Sequence, residues 1–232
     1  MASIADSIRT VYNDNFSILK LGAFSYALYL LYKLITPSTS FNIINAFVIL
    51  LVAYLGIGFI SIIIGNRINQ RLETLPLFNP VLFFTVATKA SIIAIPFMII
   101  AFFVVGFVIG LFNFEGIPQL IAIWMVRFFV FCCFITAMIN FSENNNVKEG
   151  LNISKILSGV ADVLVYTVVC TLLLAIYIAL IGGPTLYLIY MFFKIGPIFE
   201  YVAIYIITFC VAVYADYWGQ LHFDIQSRDS YY

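Results

Sequence analysis

Along the chain, long apolar runs alternate with short polar stretches, and the runs have the length of helices that cross a bilayer. A hydrocarbon core about 30 Å thick takes roughly 20 residues of α-helix. Six segments meet that length: residues 18–36, 41–65, 84–112, 118–140, 160–181 and 197–218. Between the last two, "IGGPTLYLIYMFFKIGP" is apolar but too short to cross, with Gly182, Gly183 and Pro184 at one end and Gly196 and Pro197 at the other. Glycine and proline punctuate helices, so residues 182–196 are expected to form an interfacial or re-entrant loop, with residues 185–194 as its aromatic part. The expected fold class is all-α: a polytopic membrane helical bundle forming a single transmembrane domain over residues 1–232, with six transmembrane helices as three hairpins.

The polar stretches refine this picture. "SIADSIRTVYNDNFSIL", "RLETLPLFNPVLFFTVATK" and "NVKEGLNISKILSGVAD" precede the first, third and fifth spans, each mixing polar and apolar residues as a short amphipathic lead-in does. In the last of these, Val147, Leu151, Ile153, Ile156 and Leu157 approximate a helical apolar face, with Ser142 or an asparagine as its cap. With six spans and the N-terminus inside, Arg9, Lys20, Arg67, Arg71, Lys89, Lys148, Lys155 and Arg228 fall near the cytoplasmic face, and only Lys33 and Lys194 fall outside. Basic residues accumulate on the cytoplasmic side, so both termini and the amphipathic segments are expected there. No basic region followed by a short apolar core and a small-residue cleavage site opens the chain, so the first span is expected to be retained.

Composition agrees with a membrane protein: 64% of the 232 residues are hydrophobic, 9% are charged, and the mean hydropathy is +1.09. Eleven basic residues balance eleven acidic ones, so no net basicity points to nucleic acid. The order of "LETLPLFN", "FFTVATKASIIAIP", "AMINFSENNNVKEGLNISKIL" and "VAVYADYWGQLHF" resembles an uncharacterised family of prokaryotic six-span membrane proteins known only as a domain of unknown function. The resemblance covers roughly residues 40–223 and implies the same architecture and a prokaryotic inner-membrane location, with no activity or ligand to carry over. The chain departs from that pattern in its sparsely charged loops and its aromatic fifth connection.

One residue is out of place in the apolar pattern. Arg127 interrupts "IPQLIAIWMVRFFVFCCFITAMIN" roughly 13–15 Å from the outer end of the fourth span. Arginine cannot shed its proton there and must face protein, water or a pairing group. Glu115 and Glu200 are the acids on the outer side, and an intramembrane ion pair between Arg127 and Glu200 is the expected arrangement. As a structural clamp, an anion-binding group or a contact to a partner subunit, Arg127 is the leading functional residue.

Other features carry weaker chemistry. Gly106 and Gly110 have the GxxxG spacing that lets helices approach, either within the chain or at a subunit interface. Pro96 is expected to kink the third span, and Lys89 to snorkel to the cytoplasmic interface. Tyr214, Tyr217 and Trp218 read as an interfacial aromatic anchor. Asp162, Asp216 and His222 stand near a membrane boundary, where they suit a proton relay or a cation, or simply helix-end electrostatics. Cys132, Cys133, Cys170 and Cys210 lie in apolar runs without metal-binding spacing. No nucleotide-binding loop, HExxH or GxSxG occurs, so no catalytic, cofactor or metal site is expected. The expectation is a non-catalytic integral-membrane subunit or scaffold, held by the lipid bilayer and by other membrane-protein subunits or a homo-oligomer, without nucleic acid. The alternative is a small-solute carrier or channel, for an anion, with Arg127 in its pathway.

Overall fold

The computed structural model describes residues 2–35, 43–71, 73–76, 79–112, 116–193 and 196–229. Among them all regular structure is helical: α1 (Ile4–Asn13), α2 (Ser17–Leu34), α3 (Ile43–Ile68), α4 (Pro80–Phe112), α5 (Ile117–Asn144), α6 (Val147–Gly150), α7 (Ile153–Tyr177), a π-helical turn (Ile178–Gly182), α8 (Gly183–Phe193) and α9 (Pro197–Asp229). The start of the second expected span, Glu115 and Lys194 lie outside the described residues.

Local chemistry sets most boundaries. Ser3 caps α1 by accepting the Asp6 N–H at 3.4 Å, and Asn79 caps α4 by accepting the Leu82 N–H at 3.1 Å. The asparagine run after α5 is three pieces of punctuation. Asn145 ends α5 in the left-handed region (φ 51°), Asn146 caps α6 through the Lys148 N–H, and Asn152 caps α7 through the Lys155 N–H. Ser142, the other expected cap, lies inside α5 and donates to the Ser61 carbonyl of α3 at 3.2 Å.

Five stretches are long and apolar enough to cross a membrane: Ile43–Ile68, Pro80–Phe107, Pro118–Asn144, Ile153–Phe192 and Pro197–Phe223. The segment expected as the first span forms α2, which is not among these five: its 18 residues include Lys20, Lys33 and three tyrosines, and it is less apolar than each of the five stretches. The largest departure from expectation is at Gly182–Pro184. The chain does not form a loop there; α7 runs through the π-helical turn into α8, making a 40-residue helical stretch. Proline lacks an N–H and its ring crowds the carbonyl four residues earlier. The wider π-turn absorbs Pro184 without ending the helix.

α3 is central, packed on α9, α4, α5 and α2, while α1 lies along α9. α4 pairs with α5 as a hairpin should, but α2 packs more closely on α9 than on α3, and α7 more closely on α5 than on α9. The start of the chain meets α9 at one end of the bundle, where the Ser3 N–H donates to Gln220 Oε1 at 2.8 Å. In α4, α5 and α9 the core lies toward this closed end: their buried apolar residues run from Val86 to Ala94, from Val130 to Phe141 and from Cys210 to Leu221, whereas Val48 of α3 and Leu174 of α7 are buried toward the other end. Close helix approach is needed at Gly58 and Gly219, where an added Cβ would come within 2.6 Å of the Ala87 Cβ and of the Arg67 Cβ.

Candidate functional site

Two buried polar clusters hold the closed end together. In the first, the turn between α1 and α2 presents Asp14, whose carboxylate accepts the Thr74 and Leu75 N–H groups at 2.6 and 2.9 Å. Lys20 Nζ, on the first turns of α2, donates to Asp14 Oδ1 at 2.6 Å and to Glu73 Oε2 at 2.7 Å. The Asp14 and Lys20 side chains are 1% and 6% exposed, so this is a desolvated pair with its hydrogen bonds supplied. Asn66 Nδ2 donates to the Thr74 carbonyl at 3.1 Å and ties the same loop to α3.

In the second cluster, Gln220 of α9 uses both amide protons, donating to Ser7 Oγ of α1 at 2.8 Å and to Asp216 Oδ2 at 3.0 Å. Asp216 is fully buried and lies 3.7 Å from Arg67 Nε of α3. His222 Nε2 stands 3.9 Å from Glu143 Oε1 of α5. Asp216 and His222 are therefore each occupied with a neighbouring helix, and Asp162 is half-buried with interactions of its own. Both clusters join elements far apart in sequence, and their chemistry is that of locks between helices.

Arg127 and Glu200 are not brought together. Glu200, one turn into α9, forms its salt bridge with Lys33 in the last turn of α2. The reason is packing: α2 rests on α9, so two groups near their helix ends meet at the same height. Arg127 is about ten residues, roughly 15 Å, inside α5 and is exposed on the outside of the bundle. Its guanidinium carbon lies 5.9 Å from the centroid of the Trp124 ring, which is itself 66% exposed.

Gly106 and Gly110 have nothing within 4 Å of an added Cβ, so among the described residues they pack against no other helix. The glycines that do serve close packing, such as Gly58 and Gly219, lack that spacing. Tyr217 and Trp218 are not lipid-facing anchors either, being 3% and 4% exposed. Trp218 Nε1 donates to Thr167 Oγ1 at 3.3 Å, and the Tyr214 hydroxyl donates to Thr171 Oγ1 at 2.7 Å, so the pair fastens α9 to α7. A polar tip on an apolar helix is best satisfied by a neighbouring helix, and the threonines of α7 supply the acceptors.

Among the described residues, two larger cavities flank the bundle. One, of ≈ 310 Å³, lies among α2, α3 and the start of α4, lined by Phe24, Phe59, Phe83 and Phe84 with Lys20 and Asn79. The other, of ≈ 350 Å³, is lined by apolar residues of α4, α5 and α7 with Leu151, including Phe97, Phe129 and Ile156. Arg127 lines neither. Among the described residues no three His, Cys, Asp or Glu side chains converge as a metal site, and the four cysteines are free.

Sequence reasoning missed Asp14, Glu73, Ser7 and Gln220 altogether and treated Lys20 only as a topological charge. Apart from Asp14–Lys20 and Asp216–Gln220, six and four residues apart, their partners are 53 to 217 residues away, a separation that leaves no local signal. Compared with known protein families, with curated proteins and with solved structures, the chain finds no match in any of the three.

Proposed function

We propose that this chain is a non-catalytic subunit or scaffold of a larger assembly in a prokaryotic inner membrane. In this reading it spans six times, with α2 as the first span, the α7–α8 stretch as the fifth and α9 as the sixth. The closed end, with both termini, faces the cytoplasm, as the distribution of basic residues favours.

The observation that carries the proposal is the thin packing of α4 and α5 away from the closed end. Beyond Ala94 in α4 and before Val130 in α5, no apolar side chain whose burial is described is fully buried. That half displays Phe102, Phe103, Phe107, Trp124 and Met125, each at least 65% exposed, together with open Gly106 and Gly110 and the charge of Arg127. Lipid tails satisfy the apolar groups, but they do not satisfy a guanidinium, and small residues on an open helix face allow another helix to approach.

Gentle detergent extraction from the native membrane, followed by native mass spectrometry, tests this. The expected result is a complex of fixed stoichiometry. A chain that emerges only as a monomer overturns the assembly reading and makes transport assays, with Arg127→Ala as the control, the next step.

A further inference from the structure

The proposal of an assembly leaves its partner open, and the position of Arg127 narrows it. Every charge but Arg127 in the region from Pro118 to Phe141 is absent, so this face of α5 offers one permanent cation in an apolar surface. The antiparallel packing that places the Phe97 and Phe134 rings 5.9 Å apart puts Arg127 at the height of Val104 to Gly106 on α4. The exposed cation and the open glycine thus stand at one level of the bundle, in its thinly packed half.

A second copy of this chain is a poor source of the counter-charge. Within the expected spans the acids are Asp162, Glu200 and Asp216. Glu200 is held by Lys33, Asp216 is fully buried beside Arg67, and Asp162 already has interactions within the chain. The remaining acids lie outside the apolar spans. A like copy would bring a second arginine to the same face and a like charge to the same depth, which is repulsive where water is scarce.

Resting on the assembly reading, we infer that the α5 face around Arg127 docks a transmembrane helix of a different protein that carries an Asp or Glu near mid-depth. The guanidinium presents its planar fork to that carboxylate, a geometry suited to a desolvated pair. Trp124, whose ring centroid lies 5.9 Å from the guanidinium carbon, supplies an apolar rim that excludes lipid and water around it.

The test uses the full chain in its native membrane. A photo-crosslinking amino acid replaces Leu120, which is 57% exposed and lies two turns before Arg127 on the same face of α5, and adducts are identified by mass spectrometry. The expected adduct is a different membrane protein with a carboxylate in mid-span. Arg127→Leu should reduce that adduct at least about tenfold, a loss equivalent to about 1.4 kcal/mol. Combining Arg127→Asp with Arg at the partner's acidic position should restore it, which a general loss of fit would not allow. Unchanged thermal unfolding of purified Arg127→Leu in detergent shows that the chain still folds. Adducts to lipid alone, or to a second copy of this chain, overturn the inference; so does a complex that survives Arg127→Leu undiminished, although the last two results leave the assembly reading standing. A chain that is monomeric in the extraction experiment removes both.

Discussion

Lys20 shows most clearly how an ordinary residue becomes structural in this protein. Its ammonium, 6% exposed, lies between Asp14 and Glu73, and removing it leaves the Asp14 carboxylate buried without its counter-charge. Breaking a buried pair from one side costs about 3–5 kcal/mol, so Lys20→Met should lower stability by that order in denaturant unfolding followed in mild detergent. Lys33→Met, which removes the half-exposed partner of Glu200, should cost distinctly less in the same assay. An equal loss in both would show that the closed end is no more tightly locked than the far end. Sequence distinguished the two lysines only by the side of the membrane each was expected to face. Arg127 was legible because a lone charge in an apolar run is visible locally, whereas its separation from Glu200 depends on which helices pack together.

At the level of elements, the small residues that matter are those facing another helix at close range. Gly219 leaves room for the Arg67 side chain and for the Ile64 carbonyl, which an added Cβ would approach to 3.1 Å. Gly219→Val should therefore destabilise the bundle by about 1–3 kcal/mol through overpacking, read by thermal unfolding in detergent. Gly106→Val should leave the isolated chain's unfolding within about 0.5 kcal/mol of the parent, since its surroundings are open. A large loss at Gly106 would mean that this face is packed after all. The spacing of Gly106 and Gly110 gave the right kind of interaction at the wrong place for this chain's own packing. The caps at Asn146 and Asn152 were readable in outline, because asparagine before a helical apolar face has a local cause. The π-turn before Pro184 was not, since the same residues suit a loop unless the flanking segment is helical on both sides.

For the whole molecule, α1 and α9 are fastened together through Ser3, Ser7 and Gln220, so the first and last described helices meet at one end whatever the number of crossings. Tags at the two ends should be cut by protease from the same side of sealed vesicles, and cleavage from opposite sides would contradict this arrangement. The membrane character and the helical content were plain in the hydropathy pattern. What the pattern did not contain was the uneven distribution of the core, because apolar residues on a lipid face and in a packed interior are written with the same letters. That unevenness is the centre of the account: a locked half and a half that offers Arg127 and open helix surface to another chain. Native mass spectrometry of the gently extracted protein tests it most directly. The account predicts a complex of fixed stoichiometry, with the added mass lost or strongly reduced in Arg127→Leu; a parent protein that emerges only as a single chain would contradict it.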